Sequence, residues 1–256
     1  MEVQCRQCIG CRMAKANEWA VRCLHESRMT ERTAFVTLTY DNEHLPYGGT
    51  VLKSHHQKFI RALRDRLRKR GDEEDIRYYM CGEYGADEYV TIDGKKQYRI
   101  GPGRPHYHYI IFGYEFPDRE PHTEHRGHTY YRSKELEQIW TKGHSIIGNV
   151  TVETAAYTAR YVMKKQTGEQ ARDHYTRTII ETGEILEIEP EFSLMSLKPG
   201  IGATWFKKYG ETEIHDASDF IVINGKKYKT PKYYDKLYED LDERELVSMK
   251  DRKSVV

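Results

Sequence analysis

The sequence predicts an α+β fold in which helices pack on one face or the other of a mainly antiparallel sheet. Three observations predict it. Thr33–Tyr40, Ile76–Tyr84 and Arg104–Gly113 are short runs rich in β-branched and aromatic residues. Lys53–Arg70 repeats its apolar residues at helical spacing. The element order reads β, α, β, β, α, β, α, which mixes hairpin-like neighbours with helices rather than alternating strictly.

Each element has a local reason. The chain opens with Cys5, Cys8 and Cys11 and then a helical stretch through Trp19, Val21 and Leu24. Thr33–Tyr40 (TAFVTLTY) alternates as a strand does, and Asp41–Gly49 is turn-rich. Lys53–Arg70 places Phe59, Ile60, Leu63 and Leu67 on one stripe, and Gly71 ends it. Ile76–Tyr84 (IRYYMCGEY) is the second strand, and a polar insertion, Gly85–Gly103, leads into the third. Ser133 is a suitable N-cap for a short helix to Thr141. His144–Val152 reads as a strand and Glu153–Gln166 as a helix. Beyond Thr167 the signal weakens. Glu191–Met195 and Phe220–Ile223 read as short strands and Lys232–Asp242 as helical. This divides the chain into 1–30, a core of 31–170, and an extension of 171–256 packed on that core.

Composition narrows the function. The chain has 256 residues, 32% of them charged, with a mean hydropathy of -0.83, and no apolar run is long enough to span a bilayer. A soluble intracellular protein with no membrane partner is expected. The net charge of +1 argues against a wholly basic nucleic-acid coat, but the charge is blocky. Lys58–Arg70 carries seven basic residues, including Arg61, Arg64 and Arg68, against Asp65 alone. Such a stripe is either solvated surface or a phosphate-binding face. The 20 tyrosines offer stacking platforms for single-stranded nucleic acid, although tyrosine also simply builds sheets.

His106 and His108 carry the sharpest signal. In a strand, alternate side chains share a face, so the two imidazoles lie side by side and suit one metal ion, or are two ordinary strand histidines. Two imidazoles rarely complete a hard-metal site. Glu83, near the end of the preceding strand, is the best third ligand, and the alternative for it is an ion pair with an arginine. A His/His/Glu set suits Mn²⁺ or Mg²⁺ bridged to phosphate. In the helix from Glu153, Ala155, Ala156, Ala159, Val162 and Met163 make the apolar face. Tyr157, Tyr161 and Lys164 fall within an arc of roughly 60° on the other side, with Lys165 beside them. Tyrosine can attack phosphorus as a nucleophile when the phosphodiester is polarised. Cys5, Cys8 and Cys11, with Cys23 and His25, offer a Cys₄ or Cys₃His zinc set; an iron–sulfur cluster or free thiols are the alternatives.

His106-Tyr107-His108 followed by Tyr157-x3-Tyr161-x2-Lys164 resembles the HUH endonucleases, and Phe35–Tyr40 resembles their first motif. More closely, the chain is similar to the replication initiators of gokushoviruses, single-stranded DNA phages of the microvirus family. The segments that carry this are CRQCIGCRMAKANEWAVRCLHE, FVTLTYDNEHLP, YMCGEYG, GRPHYHYIIFG, AAYTARYVMKK, EFSLMSLKPGIGATWF and PKYYDK, spread over almost the whole length. The stretch before Cys5 is shorter than such initiators often carry.

The resemblance implies a ferredoxin-like fold around a five-stranded antiparallel sheet. It implies a metal-dependent, site-specific nick in single-stranded origin DNA through a 5′-phosphotyrosine, starting rolling-circle replication in the host bacterial cytoplasm. On this reading His106 and His108 are metal ligands, Glu83 matches the third, Tyr157 and Tyr161 are nucleophiles, and Lys164 is the lysine of a Tyr-x-x-Lys motif. No G-x4-GK[ST] pattern is present, so a helicase, like the polymerase, would come from the host. The competing class is a non-catalytic module that binds single-stranded nucleic acid, with a structural metal.

Overall fold

The computed structural model describes residues 5, 8–72, 75–85, 88–92, 95–99, 103–161, 165–166, 168, 170–179, 182–214, 220–223 and 225–240. Helix α1 (Ile9–Ser27) precedes strand β1 (Thr33–Thr39), a short 3₁₀ turn at Tyr47–Gly49 and helix α2 (Lys53–Arg70). Strand β2 (Arg77–Tyr84), the hairpin β3 (Glu88–Ile92) and β4 (Lys95–Arg99), and β5 (Pro105–Phe112) follow. Next come β6 (Glu120–His125), β7 (His128–Arg132), α3 (Lys134–Ile139), β8 (Ser145–Gly148) and α4 (Val152–Arg160). The remainder is α5 (Gln170–Tyr175), β9 (Thr176–Thr178), β10 (Ile185–Glu187), β11 (Phe192–Met195), α6 (Ala203–Glu213), β12 (Phe220–Ile223), β13 (Lys226–Lys229) and α7 (Lys232–Glu239).

The fold is α+β, as expected, around a large antiparallel sheet of the kind the HUH resemblance implies. Seven strands run in the order β11-β2-β5-β1-β8-β7-β6. The first five in that order are the strands the sequence marks. The hairpin of β6 and β7 adds two more at the β8 edge, joined through Tyr131 opposite Ile147. Every residue of β6 is exposed, so it has no apolar alternation to read, and strand pairing alone defines it.

Period-two alternation sorts the side chains. Tyr107, Tyr109 and Ile111 join Val36 and Leu38 on one face, where Phe59, Ile60, Leu63 and Leu67 of α2 and Leu136 of α3 cover them. Phe35, Ile110 and Phe112 lie on the other, under Cys23 of α1 and Ala155 of α4. Ala16 and Ala20 of α1 meet Ala159 of α4, so small residues let the two helices approach closely. The C-terminal elements pack on the outside of α1: Val21 contacts Trp205, Phe206, Ile221 and Tyr234. Glu26, buried in α1, accepts from Arg77 of β2 and from the Gly202 N–H at 2.6 Å, which ties sheet, helix and extension together. Gly82 is required by close approach, because a Cβ there would lie 2.9 Å from the Phe192 ring.

Candidate active site

The site is built on the central strand. In β5, His106 and His108 point to the face covered by α1 and α4. Across one edge, β2 sets Glu83 opposite His106 and Cys81 opposite His108. Across the other, β1 sets Thr39 opposite His106 and Thr37 opposite His108. Directly opposed residues of an antiparallel pair share a face, so register alone delivers a carboxylate and a threonine hydroxyl to the two imidazoles.

The contacts are close. His106 Nε2 lies 2.9 Å and His108 Nε2 3.0 Å from the same oxygen, Glu83 Oε1. His106 Nδ1 faces the Arg104 carbonyl at 2.9 Å, and His108 Nδ1 faces Thr37 Oγ1 at 2.9 Å. A carbonyl only accepts, so His106 Nδ1 carries the proton and, in the neutral ring, Nε2 presents its lone pair. A lone pair aimed at a carboxylate needs a cation between the two, or a second proton on the ring. The ligand atoms of Glu83, His106 and His108 all lie within 4.8 Å of one another, so the donor set fits one divalent ion. Glu83 and His108 are buried. Burial pushes the Glu83 carboxyl up, but the hydrogen bonds from His106 and His108 outweigh it and hold the group at about 2. Glu83 is thus the anionic member of the set.

Helix α4 carries the tyrosines over this centre. Thr151 and Thr154 close a reciprocal capping box at its start. The Tyr161 ring stacks on His108, with centroids 5.0 Å apart and planes 8° apart. Tyr157 meets the same imidazole edge-on at 5.3 Å and the Tyr161 ring at 4.6 Å. The two phenols differ, contrary to the expectation of a pair displayed together. Tyr157 is 45% exposed, whereas Tyr161 is 6% exposed. The reason is that α4 ends at Arg160, and Tyr161 turns down onto the sheet as its C-cap. Burial, then the negative charge of Glu83, push the Tyr161 phenol well above the ordinary tyrosine range.

The chain just after Tyr161 is held from two sides. Arg12 Nη2 donates to the Lys165 carbonyl at 2.6 Å. The Gln166 N–H donates to the Tyr175 hydroxyl at 2.9 Å, and that hydroxyl donates to Glu191 of the strand-edge segment. Lys164 lies outside the described residues; the Lys165 side chain is exposed. Nothing in the sequence pattern marks Thr37, Tyr175 or Glu191, because each becomes relevant only through a long-range contact.

Two expectations need correction. Cys5, Cys8 and Cys11 come together, but Cys23 and His25 do not join them. Cys23 lies twelve residues along α1 from Cys11, a rise of roughly 18 Å, and is buried against the sheet. His25 is buried too, stacked on Trp205 and bonded to the Tyr234 hydroxyl at 2.8 Å. Arg61, Arg64 and Arg68 are likewise not brought to the site. They belong to α2, whose apolar stripe packs on the opposite face of the sheet. Arg64 donates to the Ile76 carbonyl and Arg68 to Asp65.

A family model described as replication-associated protein ORF2 matches residues 33–166, the span that holds every element of this centre. The chain is 34% identical over 241 residues to replication-associated protein VP4 of Bdellovibrio phage phiMH2K, across 92% of this chain and 67% of that one. It is 33% identical over 245 residues to replication-associated protein ORF2 of Spiroplasma virus 4, across 93% and 68%. It is 29% identical over 248 residues to replication-associated protein ORF4 of Chlamydia phage 1, across 93% of this chain and 53% of that protein. No solved structure matches. Among the described residues no helix is long and apolar enough to cross a membrane.

Proposed function

Because the chain belongs to the phage replication-associated proteins of the ORF2 family, we propose that it starts phage DNA replication by nicking single-stranded origin DNA through a covalent tyrosine–phosphate bond. The observation that carries this reading is the stacking of Tyr157 and Tyr161 on His108, whose Nε2 shares a carboxylate oxygen with His106. A binding module has no need of two phenols over a His/His/Glu centre.

In this mechanism a divalent ion, Mn²⁺ or Mg²⁺, held by Glu83, His106 and His108 supplies Lewis-acid polarisation of the scissile phosphate. The side chains do the rest. Arg104 and Thr37 fix the two imidazoles so that both Nε2 atoms face the same point. The half-exposed Tyr157 hydroxyl attacks phosphorus, its O–P bond forms as the P–O3′ bond breaks, the phenol proton passes to solvent, and the departing 3′ oxygen takes up a proton. The product is a 5′-phosphotyrosine and a free 3′-OH for a host polymerase, with strand separation by a host helicase. Tyr161 serves the second transfer, which recuts the origin and releases a closed circle. Lys164 and Lys165, which follow Tyr161 in the chain, neutralise phosphate charge. Arg61, Arg64 and Arg68, across the sheet, are assigned to flanking DNA rather than to the scissile phosphate. The setting is the host bacterial cell.

The test is incubation with single-stranded origin DNA and Mn²⁺ followed by a denaturing gel. A covalent protein–DNA band that disappears in Tyr157→Phe/Tyr161→Phe is expected. Cleavage that persists in that double variant would mean that water, not tyrosine, is the nucleophile; binding with no cleavage in the wild type would favour the non-catalytic module.

A further inference from the structure

We propose that Cys5, Cys8 and Cys11 bind one thiophilic divalent ion, zinc, as a three-thiolate clip that fixes the first turn of α1 beside the chain following Tyr161. This site is separate from the His/His/Glu centre and does not depend on the nicking reading.

The sulfur geometry is that of one ion. Two thiolates at a zinc–sulfur distance of about 2.3 Å and a tetrahedral angle are roughly 3.8 Å apart. Cys5 Sγ and Cys11 Sγ are 3.8 Å apart, and all three sulfurs lie within 4.8 Å of one another. That is too long for a disulfide, and all the described cysteines are free thiols. It is also too compact for an iron–sulfur cube, in which each thiolate sits on a different iron. The backbone is arranged to match: the Cys8 N–H donates to Cys5 Sγ at 3.3 Å, a contact that favours the thiolate form. With Cys23 and His25 buried elsewhere, the described residues supply three ligands, and Cys5 and Cys8 are exposed, so the fourth tetrahedral position faces solvent. Such an open site exchanges its ion more readily than a closed four-ligand one.

The clip has a mechanical consequence. Helix α1 starts at Cys8 with no side-chain cap, so little else holds its first turn. Arg12, next after Cys11, donates to the Lys165 carbonyl four residues past Tyr161. Ala16 and Ala20 then carry α1 along α4. An ion at the three thiols therefore fixes Arg12, and Arg12 fixes the end of the tyrosine segment.

The experiment uses the full chain purified under reducing conditions in the presence of zinc. Elemental analysis should give one tightly held zinc per chain, released by a mercurial thiol reagent. It should persist in His106→Ala/His108→Ala and be lost in Cys5→Ser/Cys11→Ser. Cobalt in place of zinc should show sulfur-to-metal charge-transfer absorption with the intensity of three thiolates, a readout in the wild type that stands even if the cysteine variant fails to fold. Zinc removal should raise amide exchange at residues 9–12 and 165–166. Absence of bound zinc, retention of zinc by the folded cysteine variant, or recovery of iron with inorganic sulfide would overturn the site. Unchanged exchange at 165–166 would overturn its positioning role. Loss of nicking alone, with zinc still bound, would bear on the tyrosine mechanism and not on this clip.

Discussion

Thr37→Val offers a sharp test of the metal centre, because it removes one atom's chemistry and almost no volume. Thr37 lies opposite His108 and offers its hydroxyl to Nδ1 at 2.9 Å. Valine keeps the β-branched shape that suits a strand, so the sheet should be unchanged. What is lost is the hydrogen bond, about 0.5–1.5 kcal/mol net, plus the cost of leaving a buried N–H without an acceptor, about 1–3 kcal/mol. His108 is 5% exposed, but Thr37 is only half-buried, so water recovers part of the loss. A remainder of about 1.4–2.7 kcal/mol corresponds to roughly 10–100-fold weaker metal binding. Isothermal titration with Mn²⁺ measures it, with His106→Ala as the reference lacking a site and the urea midpoint as the check on folding. Thr37→Val binding Mn²⁺ within twofold of wild type, while His106→Ala loses it, would refute the claim that this hydroxyl sets the imidazole.

Three further outcomes follow from the same geometry. The first covalent adduct should map to Tyr157, the exposed phenol, and Tyr157→Phe should slow the first cut on the order of 10³-fold or more; Tyr161→Phe should spare that cut and impair strand transfer, and peptide mass spectrometry finding the first adduct on Tyr161 would reverse the assignment. Burial holds His25 at about 3 and His56 at about 4, below the ordinary histidine value of 6.5. The unfolded chain therefore takes up protons first, and stability is complete above pH 6.5 and falls as the pH drops below it. At pH 5 each histidine removes about 2 kcal/mol, so a urea midpoint that does not change between pH 7.5 and 5 would contradict this account. Finally, Tyr175→Phe leaves the Gln166 N–H and the buried Glu191 carboxylate without their shared hydroxyl. It should cost about 1–3 kcal/mol in urea unfolding and lower the nicking rate; unchanged nicking in the folded variant would remove Tyr175 from the positioning of the tyrosine segment.

The contact with Tyr175 also gives the segment that begins at Glu191 a structural purpose. Strand β11 completes the sheet beside β2, and Phe192 fills the space left by Gly82 opposite Tyr107. The same segment therefore supports the strand that carries Glu83 and, through Glu191, the chain that follows Tyr161.

The local pattern of the sequence determined much of this molecule. Alternation along Arg104–Phe112 puts His106 and His108 on one face whatever they pair with, because the strand period is two. The apolar stripe of Lys53–Arg70 is legible for the same kind of reason, as its helical period is local. Tertiary structure decided what each face meets. The register that sets Glu83 opposite His106 is a pairing between strands over twenty residues apart, and a slip by one residue would turn the carboxylate to the other side of the sheet. The burial of Tyr161, the exposure of Tyr157, the separation of Cys23 and His25 from the N-terminal thiols, and the placement of the basic helix across the sheet all depend on which elements pack together. Such contacts join residues far apart in the chain and leave no local periodicity to read, which is why the sequence marked the chemical groups of the candidate site while the fold decided which of them meet.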